Sequence, residues 1–325
     1  CRYYTNSIAS HIVNSNPLIK RVFDSWRELT PDALLSNLEK NQELKNLLLQ
    51  ETPWVLQAKN ESKRKQNIAL LFDLNKMANE QRTALQKLKN LQYSEGGWPW
   101  FKGMPENRYI TQHIITGFGH LRHLGIKGYK DDPSVRNMIV RGIRYLDKEL
   151  QEEYDRLDNK GNNSIDSIVP GSIVVHYFYA RSYFMDDIAL SKKYRKAFSY
   201  FKKQLQNHWL EYNSYLKGMT ALALHRLKVS SISLDILKSL KENAIYSEEL
   251  GMYWKDINPG YFWHQAPIET IALLIEAFTE ILGDEKCVEA MKVWLLKNRQ
   301  TNDWKTTKAT SEACYALLLK GTDWL

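Results

Sequence analysis

Cysteine is scarce in this chain. Only Cys1, Cys287 and Cys314 occur in 325 residues, which makes neither a disulfide framework nor a CxxC zinc site. Cys314 lies in the apolar run 313–317, where a free thiol serves as a small hydrophobe. Long apolar runs are missing too. Nothing approaches the ~18 residues of a membrane-spanning helix, and the most apolar stretch, 168–180, contains Pro170 and His176. The opening CRYYTNSIAS lacks the apolar centre of a secretory leader. Strict polar–apolar alternation is rare, which leaves little room for sheet. There is no Walker A loop, GxGxxG, GxSxG or HExxH, so no cofactor and no metal is implied.

What is present points to helices. The net charge is +8, but the cations are spread along helix-like segments and the densest run, Lys63-Arg64-Lys65, is short. That pattern reads as solvated helix faces and argues against nucleic-acid binding. Stripes at three, four and seven residues recur: Leu71, Leu74, Ala78, Leu85 and Leu88; Val135, Ile139, Ile143 and Leu146; Leu216, Met219, Leu222 and Leu227; Ile268, Ile271, Ile275, Phe278 and Ile281. The β-branched run Ile173-Val174-Val175 reads as part of a buried helix. Pro133 after Asp132 starts a helix, since proline suits a first turn. Prolines and glycines divide the chain into about twelve helices, and no long linker separates them. One domain over residues 1–325 is expected, as a fragment of a larger multidomain protein.

A weak repeat organises these helices. Three times a Trp-bearing loop precedes a helix that opens polar and turns apolar: Gly96-Gly97-Trp98 with Trp100 and Phe101 before Tyr109–Gln112, Trp254 before Ile268–Ala272, and Trp304 before Ala309–Ala313. The glycines permit the turn, and the aromatic side chains are expected to wedge between helix ends. Helical hairpins that cannot bury both faces alone must stack. Helices apolar nearly all round need neighbours on every side, so the expectation is an all-α, α/α toroid of about six hairpins with inner and outer rings.

Few residues announce chemistry. His113, His120 and His123 lie close in sequence but lack a metal-ligand pattern and read as core or surface histidines. Glu106, Asp131, Asp132, Asp256 and Glu269 sit in or beside aromatic loops, and a glycosidase would need two of them ~5–9.5 Å apart. Glu269, just after Pro267, is more simply a helix-start charge. The DxDD acid motif of toroid terpene cyclases is absent.

Several segments together resemble one family. Residues 2–11 (RYYTNSIASH), 51–56 (ETPWVL), 68–76 (IALLFDLNK), 96–104 (GGWPWFKGM), 266–270 (APIET) and 304–310 (WKTTKAT) are similar to the thioester domain of bacterial alpha-2-macroglobulin-like proteins, from end to end of the chain. The resemblance implies an α/α toroid within a large periplasmic or cell-surface protein, often membrane-anchored, that traps proteases. It implies a covalent-tethering module and not a turnover enzyme. Its partners would be target proteases and other domains of the parent chain, with no direct membrane insertion by this domain. The family's chemistry uses a C-x-E-Q motif, in which the Gln side chain acylates the Cys sulfur and aromatic burial protects the thioester from water. Here Cys1 is the thioester candidate by position, yet Arg2-Tyr3-Tyr4 follows it and no Gln partner can be assigned. Either the motif is missing from this stretch of chain or the thioester is lost. Some members also use a histidine; His176 lies in the right region, with a core role as the simpler reading. The alternatives are a toroid enzyme acting on polysaccharide and a purely structural interaction domain.

Overall fold

The computed structural model describes residues 2–15, 21, 74–126, 132–158, 168–301, 304 and 306–319. Cys1, Lys63-Arg64-Lys65, Asp131, the segment 51–56 and residues 68–73 lie outside the described residues. By contact the chain divides into two units, Arg2–Gln86 and Lys87–Gly321. Helix α2 (Leu74–Leu91) contains the boundary between them.

In the first unit, α1 (Arg2–Ser15) buries Tyr3, Tyr4, Ser7 and Ile8, one helical face. Gln81 of α2 donates to Ser7 Oγ at 2.8 Å.

Among the described residues, the larger unit is all-α apart from one small hairpin. In chain order its helices are α3 (Arg108–His123), α4 (Pro133–Asp158), α5 (Ser172–Ser182), α6 (Arg195–His208), α7 (Ser214–Arg226), α8 (Ser230–Glu242), α9 (Pro267–Ala277), α10 (Glu285–Thr301) and α11 (Thr307–Leu318). The strands β1 (Ile245–Ser247) and β2 (Gly251–Tyr253) pair antiparallel, with Tyr246 opposite Met252.

Two kinds of helix alternate. α5, α7 and α9 are buried almost all round; every residue of α9 from Ile268 to Ala277 is buried. α6 and α8 bury only a stripe, such as Ser233, Ile236, Leu237 and Leu240. Contacts follow that division. α3 packs on α5, α5 on α7, α7 on α9 and α9 on α11, while α4 flanks α3, α8 flanks α7 and α10 flanks α9. The helix over Ile173-Val174-Val175, the start at Pro133 and the scarcity of strand match the periodicity reading.

The buried helices share a way of starting. The side chains of Asn107, Asn213 and Thr306 accept from the backbone N–H three residues on, capping α3, α7 and α11. Pro267 opens α9. Thr111, Thr270 and Thr310 each donate to the carbonyl four residues back, at 2.9, 2.7 and 3.1 Å.

The Trp loops are two of a kind and one exception. Trp98 Nε1 donates to the Leu88 carbonyl at 2.9 Å and Trp254 Nε1 to the Leu240 carbonyl at 2.8 Å, each answering an orphan acceptor in the last turn of the preceding helix. Both indoles are buried. A strained turn precedes each: Gly96 has φ +105° and Gly251 φ +80°, and a Cβ there would stand 2.3 and 2.1 Å from a backbone oxygen. Gly97 is equally crowded, its Cβ position 2.9 Å from Glu106 Cβ. Trp304 is half-buried, and its indole N–H finds no acceptor among the described residues. The expected wedge of Trp100 and Phe101 is not formed: they are 51% and 71% exposed. One buried ring fills the gap between α2 and α4, where Gly142 admits Trp98, and no space remains for two more.

Candidate functional site

The first two turns of the buried helices converge on a small cavity of about 20 Å³, space for roughly one water. Tyr109 and His113 come from α3, His176 from α5, Tyr215 from α7, Glu269 from α9 and Lys308 and Glu312 from α11. Trp263, on the loop before α9, closes it. Its ring centroid lies 5.0 Å from His176, 5.3 Å from Tyr109 and 5.9 Å from Tyr215. Lys308 Nζ is 5.8 Å from the Trp263 ring and 4.0 Å from Glu269 Oε1.

The chemistry inside is governed by burial. Burial, with the Lys308 charge, pushes His113 down to about 3. Burial pushes His176 well below its ordinary value, with His113 and Lys308 adding to the effect. Both imidazoles are therefore neutral at pH 7, available as bases or hydrogen-bond donors. His176 Nε2 meets Thr116 Oγ1 at 3.3 Å, while its buried Nδ1 has no hydrogen-bond partner among the described residues. Burial raises Glu312 to about 8, against the pull of Lys308 and with the push of Glu269 and Glu276.

Two turns deeper lies a second polar centre around Glu276. Tyr179 donates to Glu276 Oε2 at 2.5 Å; Tyr183, and Tyr315 at 2.8 Å, donate to Oε1. Arg226 Nη2 reaches Glu276 Oε1 at 2.7 Å and Glu280 Oε2 at 2.5 Å, and its guanidinium sits 3.9 Å above the Tyr183 ring. Burial alone would raise Glu276, but Arg226 and the nearby histidines hold it at about 2. Glu280 is on the π-helical turn Phe278–Leu282 that continues α9. His123, Glu276 and Glu280 place three ligand-type atoms within 4.8 Å of one another. Arg226 already bridges the two carboxylates, supplying the cation such a trio would otherwise need.

The residues singled out from sequence scatter. His113 lines the pocket, His120 stacks on Tyr315 at 3.9 Å, and His123 is half-exposed beside Glu280. Glu106 accepts from the Gly97 N–H, Asp132 caps α4, and Asp256 accepts from the Ser214 backbone and hydroxyl. Of the four loop carboxylates among the described residues, Glu269 alone lines the pocket, so the helix-start reading was incomplete for it. Glu276, Glu312, Lys308, Arg226 and the three tyrosines were passed over. The available signal was a carboxylate inside an otherwise apolar helix, as in Ile275-Glu276-Ala277. No protein-family model and no curated protein matches this chain.

Proposed function

We propose that this chain is a thioester-type, protease-trapping domain, built as an α/α toroid. The ring is supported by the unbroken succession α3, α5, α7, α9, α11 and by the return contact of α11 on α3, where Tyr315 stacks on His120. The function is carried by one observation: the pocket at the inner-helix starts is small, lidded by Trp263 and lined with neutral imidazoles. A thioester needs that environment. Aromatic rings exclude the water that would hydrolyse it, and an uncharged imidazole can take a proton from an attacking amine or hydroxyl. Together with the end-to-end sequence resemblance, this favours a covalent-tethering module over a turnover enzyme. The cavity, about 20 Å³, is far below the ~300 Å³ of ordinary ligand sites, so a sugar chain would not fit in it.

The test is treatment of the intact protein with methylamine. An operating thioester releases one free thiol and adds the mass of methylamine at its acyl partner, and Cys1→Ala abolishes both changes. Absence of thiol release and mass gain in the wild-type protein would sink covalent tethering and leave a non-covalent trap or scaffold.

A further inference from the structure

We propose that α4 carries a docking groove for an acidic segment of a separate protein, bound in extended conformation. The groove has a volume of about 900 Å³, the size of an ordinary ligand site. It shares no residue with the pocket under Trp263. One wall is α4, where Arg136, Val140, Arg144 and Lys148 follow one another at turn spacing. The other wall is the segment 187–194 that follows α5.

Positive charge is left over in this groove. Its three carboxylates already have cations: Asp147 has Arg181 at 3.0 Å, Asp187 has Arg122 at 2.8 Å and Glu95 has Lys148 at 3.4 Å. Arg136, Arg144 and Lys193 also line it, are exposed, and pair with no carboxylate among the described residues. The Glu95–Lys148 pair is itself exposed, and such pairs open at little cost.

Spacing selects the occupant. Four residues of helix advance ~6 Å, and two residues of extended chain advance ~6.6 Å. Alternate side chains of one extended segment therefore meet Lys148, Arg144, Val140 and Arg136 in turn. Three of those places call for a carboxylate, which a guanidinium grips through two parallel hydrogen bonds; the place at Val140 takes an apolar side chain. The facing wall supplies main-chain partners. The backbone N–H groups of Ala189, Leu190 and Ser191 make no backbone hydrogen bond among the described residues, and Ser191 is extended, with φ −60° and ψ 141°. Such donors receive the carbonyls of an added strand. A nucleic acid fits less well. Its evenly spaced phosphates would meet Glu95 and Asp187, and the aromatic lining residues, Tyr145 and Tyr194, are buried and offer no ring for a base to stack on.

Fluorescence anisotropy of the intact protein tests this, in about 0.1 M salt, where charges still act over ~10 Å. The probes are two fluorescein-labelled peptides, GESESVSEG and its reverse GESVSESEG, which carry the pattern in either chain direction. At least one should bind the wild type. The double variant Arg136→Gln, Arg144→Gln should weaken it by about tenfold or more, through loss of two charged hydrogen-bonding groups. The isomer GEEESVSSG, with its glutamates contiguous, should also bind about tenfold more weakly, because it cannot place a carboxylate at each cation. Binding by neither peptide, equal binding of the isomer, or affinity unchanged in the double variant overturns the proposal. So does an oligothymidylate of equal length that binds as tightly, since the groove would then be a general polyanion surface. The comparison of peptide isomers uses the wild type alone, so it decides even where the variant fails to fold.

Discussion

At the scale of single residues, the informative positions are charges in apolar helices. Glu312 is held neutral at a cost. Its carboxyl has a folded value near 8 against an ordinary 4.5, so the folded chain holds one more proton than the unfolded chain between those values, and stability falls as pH rises through that window. The penalty is complete above pH 8 and of order 5 kcal/mol, at about 1.4 kcal/mol per unit. Glu312→Gln should therefore melt higher than the wild type at pH 8.5 and about equally at pH 4. The histidines act oppositely. His113 and His120, both lowered to about 3, lose stabilisation as pH falls from 6.5 toward 3. Thermal unfolding across pH should peak near 6.5 in the wild type, and in Glu312→Gln the alkaline decline should flatten. Arg226 offers a second check: Arg226→Met strands the Glu276 carboxylate in the core and should cost about 3–5 kcal/mol in denaturant unfolding. None of this pairing was legible in sequence, because Arg226 and Glu276 are 50 residues apart and only the fold brings them together.

At the scale of helices and loops, the sequence was a better guide. Stripes of apolar residues and the Asp132-Pro133 start gave helices where helices are, since 3.6-residue periodicity is a local property. The Trp loops show where local reasoning stops. Gly96 before Trp98 and Gly251 before Trp254 mark the same device, a left-handed turn that sends an indole N–H to the end of the previous helix. Sequence proximity alone could not tell Trp98 from Trp100, two residues later and half-exposed. Stability measurements separate them: Trp98→Ala and Trp254→Ala should each cost about 3–5 kcal/mol, Trp100→Ala less than about 1 kcal/mol. Gly142→Ala, whose new methyl would stand 2.8 Å from the Trp98 ring, should cost about 1–3 kcal/mol by overpacking. A Trp100→Ala as damaging as Trp98→Ala would return the whole GGWPWF loop to the core.

At the scale of the whole molecule, the alternation of helices buried all round with helices buried on one side was visible in composition, because a helix covered on every side must be apolar on every face. The pocket was not, since its lining residues lie as far apart in the chain as Tyr109 and Glu312. One feature of that pocket reaches beyond its contacts. Tyr109, His113, His176, Tyr215, Glu269, Lys308 and Glu312 of its lining sit in the first two turns of α3, α5, α7, α9 and α11, so five peptide dipoles present their positive poles to one small volume. Each acts as roughly half a positive charge at its helix start. The summed potential works against protonation of His113 and His176 and adds to the effect of burial. The protonation of His113 and His176 thus depends on these helix starts as well as on burial, and a substitution that turns one of the helices away will retune histidines it never meets.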